Sequence, residues 1–197
     1  MQKPEYFGNQ RREMVPFVPV EAGCALDIGC GAGVFSTNLK EHWQARGRDL
    51  EVWGVEMNPE AAALAREALD RVLEGKVDEV LGELPAGRFD CVVLNDVLEH
   101  VAEPADLLKS LRPLLAPGGK LVASIPNVRY FFNVLDLVWF GRWDYTDEGI
   151  LDRTHLRFFT RSSILKLLGE CGYQVSAMQG INPTRSLKFN LANMCSL

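Results

Sequence analysis

The chain has 197 residues, 47% of them apolar and 24% charged, enough to bury a full core without a disulfide framework. Its formal net charge is −5 and lysine and arginine form no block, so the electrostatic footprint of a DNA- or RNA-binding protein is missing. Five scattered cysteines without C-x-x-C spacing, a polar start and the lack of a long apolar run predict a cytoplasmic protein with reduced thiols, no signal peptide and no membrane span.

In chain order, residues 2–20 hold Tyr6, Phe7, Arg11, Arg12, Met14, Val15 and Phe17, and Pro16 and Pro19 mark the end of a short helix or arm. Its aromatic and arginine side chains either close over a ligand's carboxylate or pack on the core. Leu26-Asp27-Ile28 then reads as a buried strand that ends in an acid and enters the turn Gly29-Cys30-Gly31-Ala32-Gly33. Glycines at alternate positions let the backbone come close to a ligand, and the helix that follows shows Phe35, Leu39 and Trp43 on one face before Gly47.

Residues 50–56 predict a second strand with Glu56 at its end, followed by Asn58 as N-cap and Pro59 as first helical residue. Ala61, Leu64, Ala65, Ala68, Leu69 and Val72 predict one helical face running to Gly75, and Val77–Leu81 a short third strand with Glu83 at its tip. The apolar run from Phe89 to Leu94, closed by Asn95 and Asp96, predicts a strand buried on both faces. A helix opening at Pro104, a turn at Pro117-Gly118-Gly119, a fifth strand over 120–125, a late helix from about Ser162 and a last strand over Tyr173–Met178 complete the pattern. This alternation predicts one domain over 1–197, an α/β, Rossmann-like, doubly wound and mostly parallel sheet of six or seven strands flanked by helices, with ligands at the carboxyl ends of the strands.

The glycines at 29, 31 and 33, with Val34 next, miss the G-x-G-x-x-G register of an NAD-binding loop. From Asp27 to Gly33 the chain resembles the class I S-adenosylmethionine-dependent methyltransferases. The resemblance extends through Glu56, through Phe89–Val101, and through Leu115–Lys120. It implies S-adenosyl-L-methionine as cofactor, held by Asp27, Gly29, Cys30, Gly31 and Gly33 at its methionine end. Glu56 would accept both ribose hydroxyls, Met57 would lie against the adenine, Glu83 would face the adenine amine, and Asn95 would lie beside the sulfonium. Seven strands are usual in that family, and Ser186–Leu197 offers only a weak strand without a clear hairpin partner.

The nucleobase and amide N-methyltransferases of the family carry Asp or Asn, Pro, Pro and an aromatic where this chain has Asn95-Asp96-Val97-Leu98, which disfavours that subclass. Leu98-Glu99-His100-Val101 is similar to small-molecule methyltransferases, among them the O-methyltransferases of ubiquinone synthesis. In that group acid and histidine residues here are linked to a divalent metal, which would make Asp96, Glu99 and His100 a candidate trio. The preferred reading has Glu99 and His100 hydrogen-bonding locally at a helix start, with no metal.

The long segment 128–160 departs from the family pattern and predicts an acceptor pocket or its lid, with His155 the leading base and His100 and Asp96 further catalytic candidates. Within it, residues 129–140 show only a narrow polar stripe of Arg129, Asn133 and Asp136. Such a helix must be buried, paired in a homodimer or laid against an apolar substrate. The expected activity is methylation of a small-molecule O- or N-acceptor, on a sugar or a lipid-linked precursor. A non-catalytic S-adenosylmethionine-binding module or partner subunit is the alternative.

Overall fold

A computed structural model describes residues 10–181. They form two compact units, residues 10–97 with 110–124, and residues 98–109 with 125–181.

The first unit holds the strands β1 (Cys24–Ile28), β2 (Glu51–Glu56), β3 (Arg71–Glu74), β4 (Phe89–Asn95) and β5 (Leu115–Ser124). They make one parallel sheet in the order β3-β2-β1-β4-β5. The chain builds outward from β1 to β3, then returns to the other side of β1 for β4. That reversal leaves a crevice at the carboxyl ends of β1 and β4, where open α/β sheets take their ligands. All five residues of β1 are buried, as befits the central strand of a sheet covered on both faces.

Helix α1 (Val34–Gln44) buries Phe35, Leu39 and Trp43 as their spacing predicts, and the Trp43 indole donates to the Ala22 carbonyl at 3.0 Å. It ends where expected. Gly47 takes a left-handed φ of 66° and the Arg48 N–H closes back on the Trp43 carbonyl. Helix α2 (Pro59–Ala65) starts as predicted, with the Asn58 side chain accepting from the Glu60 and Ala61 N–H groups at 2.9 and 3.0 Å.

The region after α2 corrects the sequence reading. The helix stops at Ala65 instead of reaching Val72, the third strand is β3 at Arg71–Glu74, and Val77–Val80 is a short helix, α3. Asp70 makes the change, its carboxylate accepting the Val52 N–H at 2.7 Å while its own N–H donates to the Val52 carbonyl. Unused ladder positions on β2 thus win over the helical spacing of Ala68, Leu69 and Val72. Leu69 is instead the side chain that fills the space over Gly33 and Gly54.

The strand count is also corrected, to five among the described residues rather than six or seven. Tyr173–Met178 joins no ladder. Tyr173 is held by its hydroxyl on the Leu108 carbonyl at 2.8 Å, and Val175 and Met178 stay exposed. Alternation alone does not make a strand when no neighbour offers its backbone. The weak strand expected at Ser186–Leu197 lies outside the described residues, as do Tyr6 and Phe7.

Helices α4 (Pro104–Leu111), α5 (Phe131–Phe140) and α6 (Arg161–Glu170) are the remaining α-helices among the described residues. The Thr160 side chain caps α6 by accepting the Ser163 N–H. The expected lid segment, 128–160, lies wholly in the second unit. No helix among the described residues is long and apolar enough to cross a membrane.

Candidate active site

The glycine turn sits at the carboxyl end of β1. Its three glycines have φ of 72°, 54° and 78°, all in the left-handed region that a side chain would strain. The Gly29 and Cys30 N–H groups both donate to the Val55 carbonyl, at 2.8 and 3.2 Å, which pins the turn to the end of β2. Gly33 also has a packing task. A Cβ there would meet Leu69 Cδ1 at 2.5 Å, so the bare backbone of this glycine lets α1 pack on its neighbours.

Glu56 is 5% exposed and closes the other side of the turn. One carboxylate oxygen accepts the Gly31 N–H at 2.9 Å and the other accepts the Asn58 N–H at 2.7 Å. Each oxygen has a second lone pair, which leaves the group able to accept two further hydrogen bonds from a vicinal diol. Asp27, 3% exposed, accepts from the Ser36 hydroxyl at 2.7 Å. Burial, opposed by that hydrogen bond and aided by the charge of Glu56, pushes its carboxyl up to about 7. Ser36 was missed in the sequence. The only signal was a polar residue in the first turn of α1, on the face that must be buried.

Asn95, at the carboxyl end of β4, carries the plainest vacancy for a polar ligand. Its side-chain oxygen and nitrogen are both buried and neither has a hydrogen-bond partner. Buried amides are ordinarily satisfied, so this one asks for a ligand. Met57 is 65% exposed and Glu83 is exposed on a 3-10 turn, so both are open to a bound group. Asp96 is differently engaged. It has a left-handed φ of 53°, pairs with the Arg11 guanidinium, and accepts from the Ser124 hydroxyl at 2.9 Å.

The second unit gathers a separate group. Glu99, His100 and His155 each place a ligand atom within 4.8 Å of the others. The histidine rings meet edge to face, their centroids 4.8 Å apart. His100 Nδ1 lies 3.3 Å from the Thr154 carbonyl and His155 Nδ1 3.0 Å from the Ile150 carbonyl. Glu99 is buried, and its backbone carbonyl accepts the Leu156 and Arg157 N–H groups. Bonds from this turn to residues 154–157 cross more than fifty residues of sequence. The acid-histidine group that forms is Glu99, His100 and His155, not the trio with Asp96. Burial, and then the charge of His155, hold His100 below the ordinary imidazole value. Asp152 stays below the usual carboxylate range despite burial, through bonds from Thr154 and the charges of His155 and His100.

Nearby, a cavity of about 290 Å³ is lined by Asn133, Asp136, Arg142, Asp144, Glu148 and Ile150, among others. Ile150 links it to His155, since its carbonyl faces that ring.

The sheet order, the glycine turn and the acids at the ends of β1 and β2 define a Rossmann-like α/β protein with a site for a ribose-bearing ligand. Residues 6–177 match the methyltransferase domain family, and the chain belongs to it, as a class I S-adenosylmethionine-dependent methyltransferase by fold and motif. Among curated relatives it is 31% identical to the ubiquinone biosynthesis O-methyltransferase of Pseudomonas aeruginosa, across 91% of this chain and 78% of that one. It is 27% identical to the protein of that name from Aeromonas salmonicida, across 80% of this chain and 65% of the relative. The mitochondrial protein of that name from Schizosaccharomyces pombe is 35% identical over 50% of this chain and 36% of its own length. The chain thus spans less than two thirds of the length of two of these three relatives. Solved SAM-dependent methyltransferases from Archaeoglobus fulgidus and Mesorhizobium loti share the fold. Their TM-scores are 0.64 and 0.63, at 18% and 22% identity, covering 98% and 87% of this chain and 85% and 84% of theirs.

S-adenosylmethionine, the family's cofactor, fits the residues present. The orphaned Asn95 amide, the Glu56 lone pairs and the high Asp27 carboxyl match its polar methionine end, its ribose diol and its ammonium. One consequence is measurable. With Asp27 at about 7 when folded and at its ordinary 3.8 when unfolded, the ligand-free fold binds the extra proton between those values. Stability from this group is therefore greatest at low pH and lost as pH rises through about 7. An ammonium beside Asp27 reverses the preference. Binding of S-adenosylhomocysteine is expected to strengthen as pH rises through neutrality and to release roughly half a proton at pH 7. Calorimetry in buffers of different ionisation enthalpy reads that number, and Asp27→Asn should abolish the release. An unchanged release in the variant would assign the proton elsewhere.

Proposed function

We propose that the chain is an O-methyltransferase acting on the hydroxyl of a small molecule. The observation that carries this reading is His155, whose Nδ1 faces a backbone carbonyl. Nδ1 therefore bears the proton, and Nε2 is left as the basic nitrogen. A hydroxyl acceptor must lose a proton as it is methylated, and a positioned imidazole is suited to take it. The names of the ubiquinone relatives agree with an oxygen acceptor, and the cavity beside Ile150, where Asn133, Asp136 and Arg142 offer hydrogen-bonding groups, suits a hydroxyl-bearing head group, on a sugar or a lipid-linked precursor.

Bound S-adenosylmethionine supplies an electrophilic methyl group on a sulfonium. Asp27 takes its ammonium, Glu56 its ribose diol, and Asn95 the polar atoms near the sulfonium, while Gly29, Cys30 and Gly31 give close backbone approach. Met57 and Glu83 are assigned to the adenine. Arg11, now on Asp96, is the cation available to a carboxylate at this edge. His155 removes the acceptor proton with His100 beside it, and Asp96 acts by holding Arg11 and Ser124 in place.

The test is methyl transfer from radiolabelled S-adenosylmethionine to a panel of catechols, phenols, sugar hydroxyls and amines, with and without EDTA. O-methylated product at an EDTA-insensitive rate is expected. Exclusive N-methylation would overturn the oxygen assignment, and a rate that requires added metal would transfer Glu99, His100 and His155 to the ion. Tight S-adenosylhomocysteine binding with no acceptor methylated would support a non-catalytic binding module.

A further inference from the structure

Asp152 is a buried carboxylate, 6% exposed, in the turn that leads into His155. A carboxylate taken out of water is costly unless hydrogen bonds compensate it. Here one neighbouring residue supplies two. Asp152 Oδ1 accepts the Thr154 N–H at 2.8 Å and the Thr154 hydroxyl at 2.7 Å. The backbone carbonyl of Asp152 accepts the His155 N–H at 3.0 Å.

These bonds converge on a single peptide unit. The peptide between Thr154 and His155 directs its N–H at the Asp152 carbonyl, and its C=O lies 3.3 Å from His100 Nδ1. A trans peptide is planar with its N–H and C=O opposed, so a rotation that releases one end moves the other. The carbonyls of Ile150 and Thr154 thus face one histidine each, at Nδ1. Asp152 stands between them in sequence, and its side chain grips the residue that carries the second. A carbonyl only accepts, so each neutral ring places its proton on Nδ1 and leaves Nε2 bare. From outside, the Thr146 N–H donates to the Leu151 carbonyl and the Arg153 N–H to the Thr146 carbonyl, which ties the turn to the chain before it.

We propose that Asp152 is a positioning residue for the His100–His155 pair: by holding Thr154 it fixes the peptide that sets the tautomer of His100 and the backbone of His155. The inference rests on the reading of His155 as the general base. A carboxylate suits this task better than a neutral side chain, because its bonds to N–H and O–H donors are charge-assisted. Its charge is also felt by His155 and then by His100, where an imidazolium forms once the acceptor's proton is taken.

The test compares Asp152→Ala with Asp152→Asn in the full chain. Asparagine keeps an oxygen that accepts from Thr154, and alanine does not. The chain has three histidines, His42, His100 and His155, so long-range proton–nitrogen spectra of the rings in alkaline buffer report each tautomer separately. In the native chain His100 and His155 are expected in the Nδ1–H form. In Asp152→Ala the His100 signals should move to a mixture of tautomers, and kcat should fall about tenfold or more while S-adenosylhomocysteine affinity holds. A thermal melt shows that the variant is folded. Asp152→Asn should restore the native tautomer and most of kcat. Should the alanine variant not fold, Thr154→Val, which deletes only the hydroxyl donor, should give a smaller shift in the same direction. Native tautomers in a folded Asp152→Ala chain, or an asparagine variant as impaired as the alanine one, would overturn the proposal. A His155→Ala enzyme with native kcat would instead remove the general base and leave the tautomer result standing, so the two failures are told apart.

Discussion

Replacing Glu56 with alanine is expected to weaken S-adenosylhomocysteine binding about a hundredfold or more. Two hydrogen bonds from the ribose to a charged acceptor are lost, each worth about 1.5–3 kcal/mol, and the loss of both, about 3 kcal/mol or more, exceeds the roughly 2.7 kcal/mol that a hundredfold change requires. The same carboxylate holds the Gly31 and Asn58 N–H groups, so the glycine turn loses its anchor as well. Glu56→Gln separates the two effects. It retains one oxygen as acceptor and should recover part of the turn geometry while still binding the ribose poorly. Titration calorimetry gives the affinities, and a thermal melt shows whether each variant is folded. A folded Glu56→Ala chain with native affinity would remove Glu56 from the cofactor site.

His155→Ala is expected to lower kcat by about 10²- to 10⁴-fold, the usual worth of a positioned general base, with S-adenosylhomocysteine affinity unchanged. The pH profile discriminates a base from a mere wall. Neutral imidazole is the working form, so the native rate should fall as pH drops, and this acid limb should disappear in the variant. Two rings with centroids 4.8 Å apart resist carrying two protons, and His100 is already held below its ordinary value by burial and by His155. A His155→Ala enzyme with native kcat and an intact acid limb would place the base elsewhere.

What could be read from sequence follows the range of the forces involved. The turn from Gly29 to Gly33, the strand-end acids Asp27 and Glu56, and the Asn58 cap are local patterns. Their chemistry is set by a few neighbouring dihedrals and hydrogen bonds, and they stand where the spacing predicts. Residues 66–81 were misread because Ala68, Leu69 and Val72 imitate a helical face. The edge of β2, brought there by the fold, offered a better set of partners through Asp70. Nothing in the segment around Gly33 announces that Leu69 packs against it. Asp96 was grouped with Glu99 and His100 by proximity along the chain, whereas Arg11 and Ser124 hold it in space.

By itself, then, the sequence determined the alternation of strands and helices, the glycine turn and the acids that flank it, because backbone conformation there depends on the residues in place. Only the tertiary structure decided that His100 and His155 meet and that Asp27 is buried deeply enough to keep a proton near neutrality. Each of these depends on burial or on contacts made across the chain. Desolvation and long-range pairing are properties of the packed whole, and no window of residues contains them.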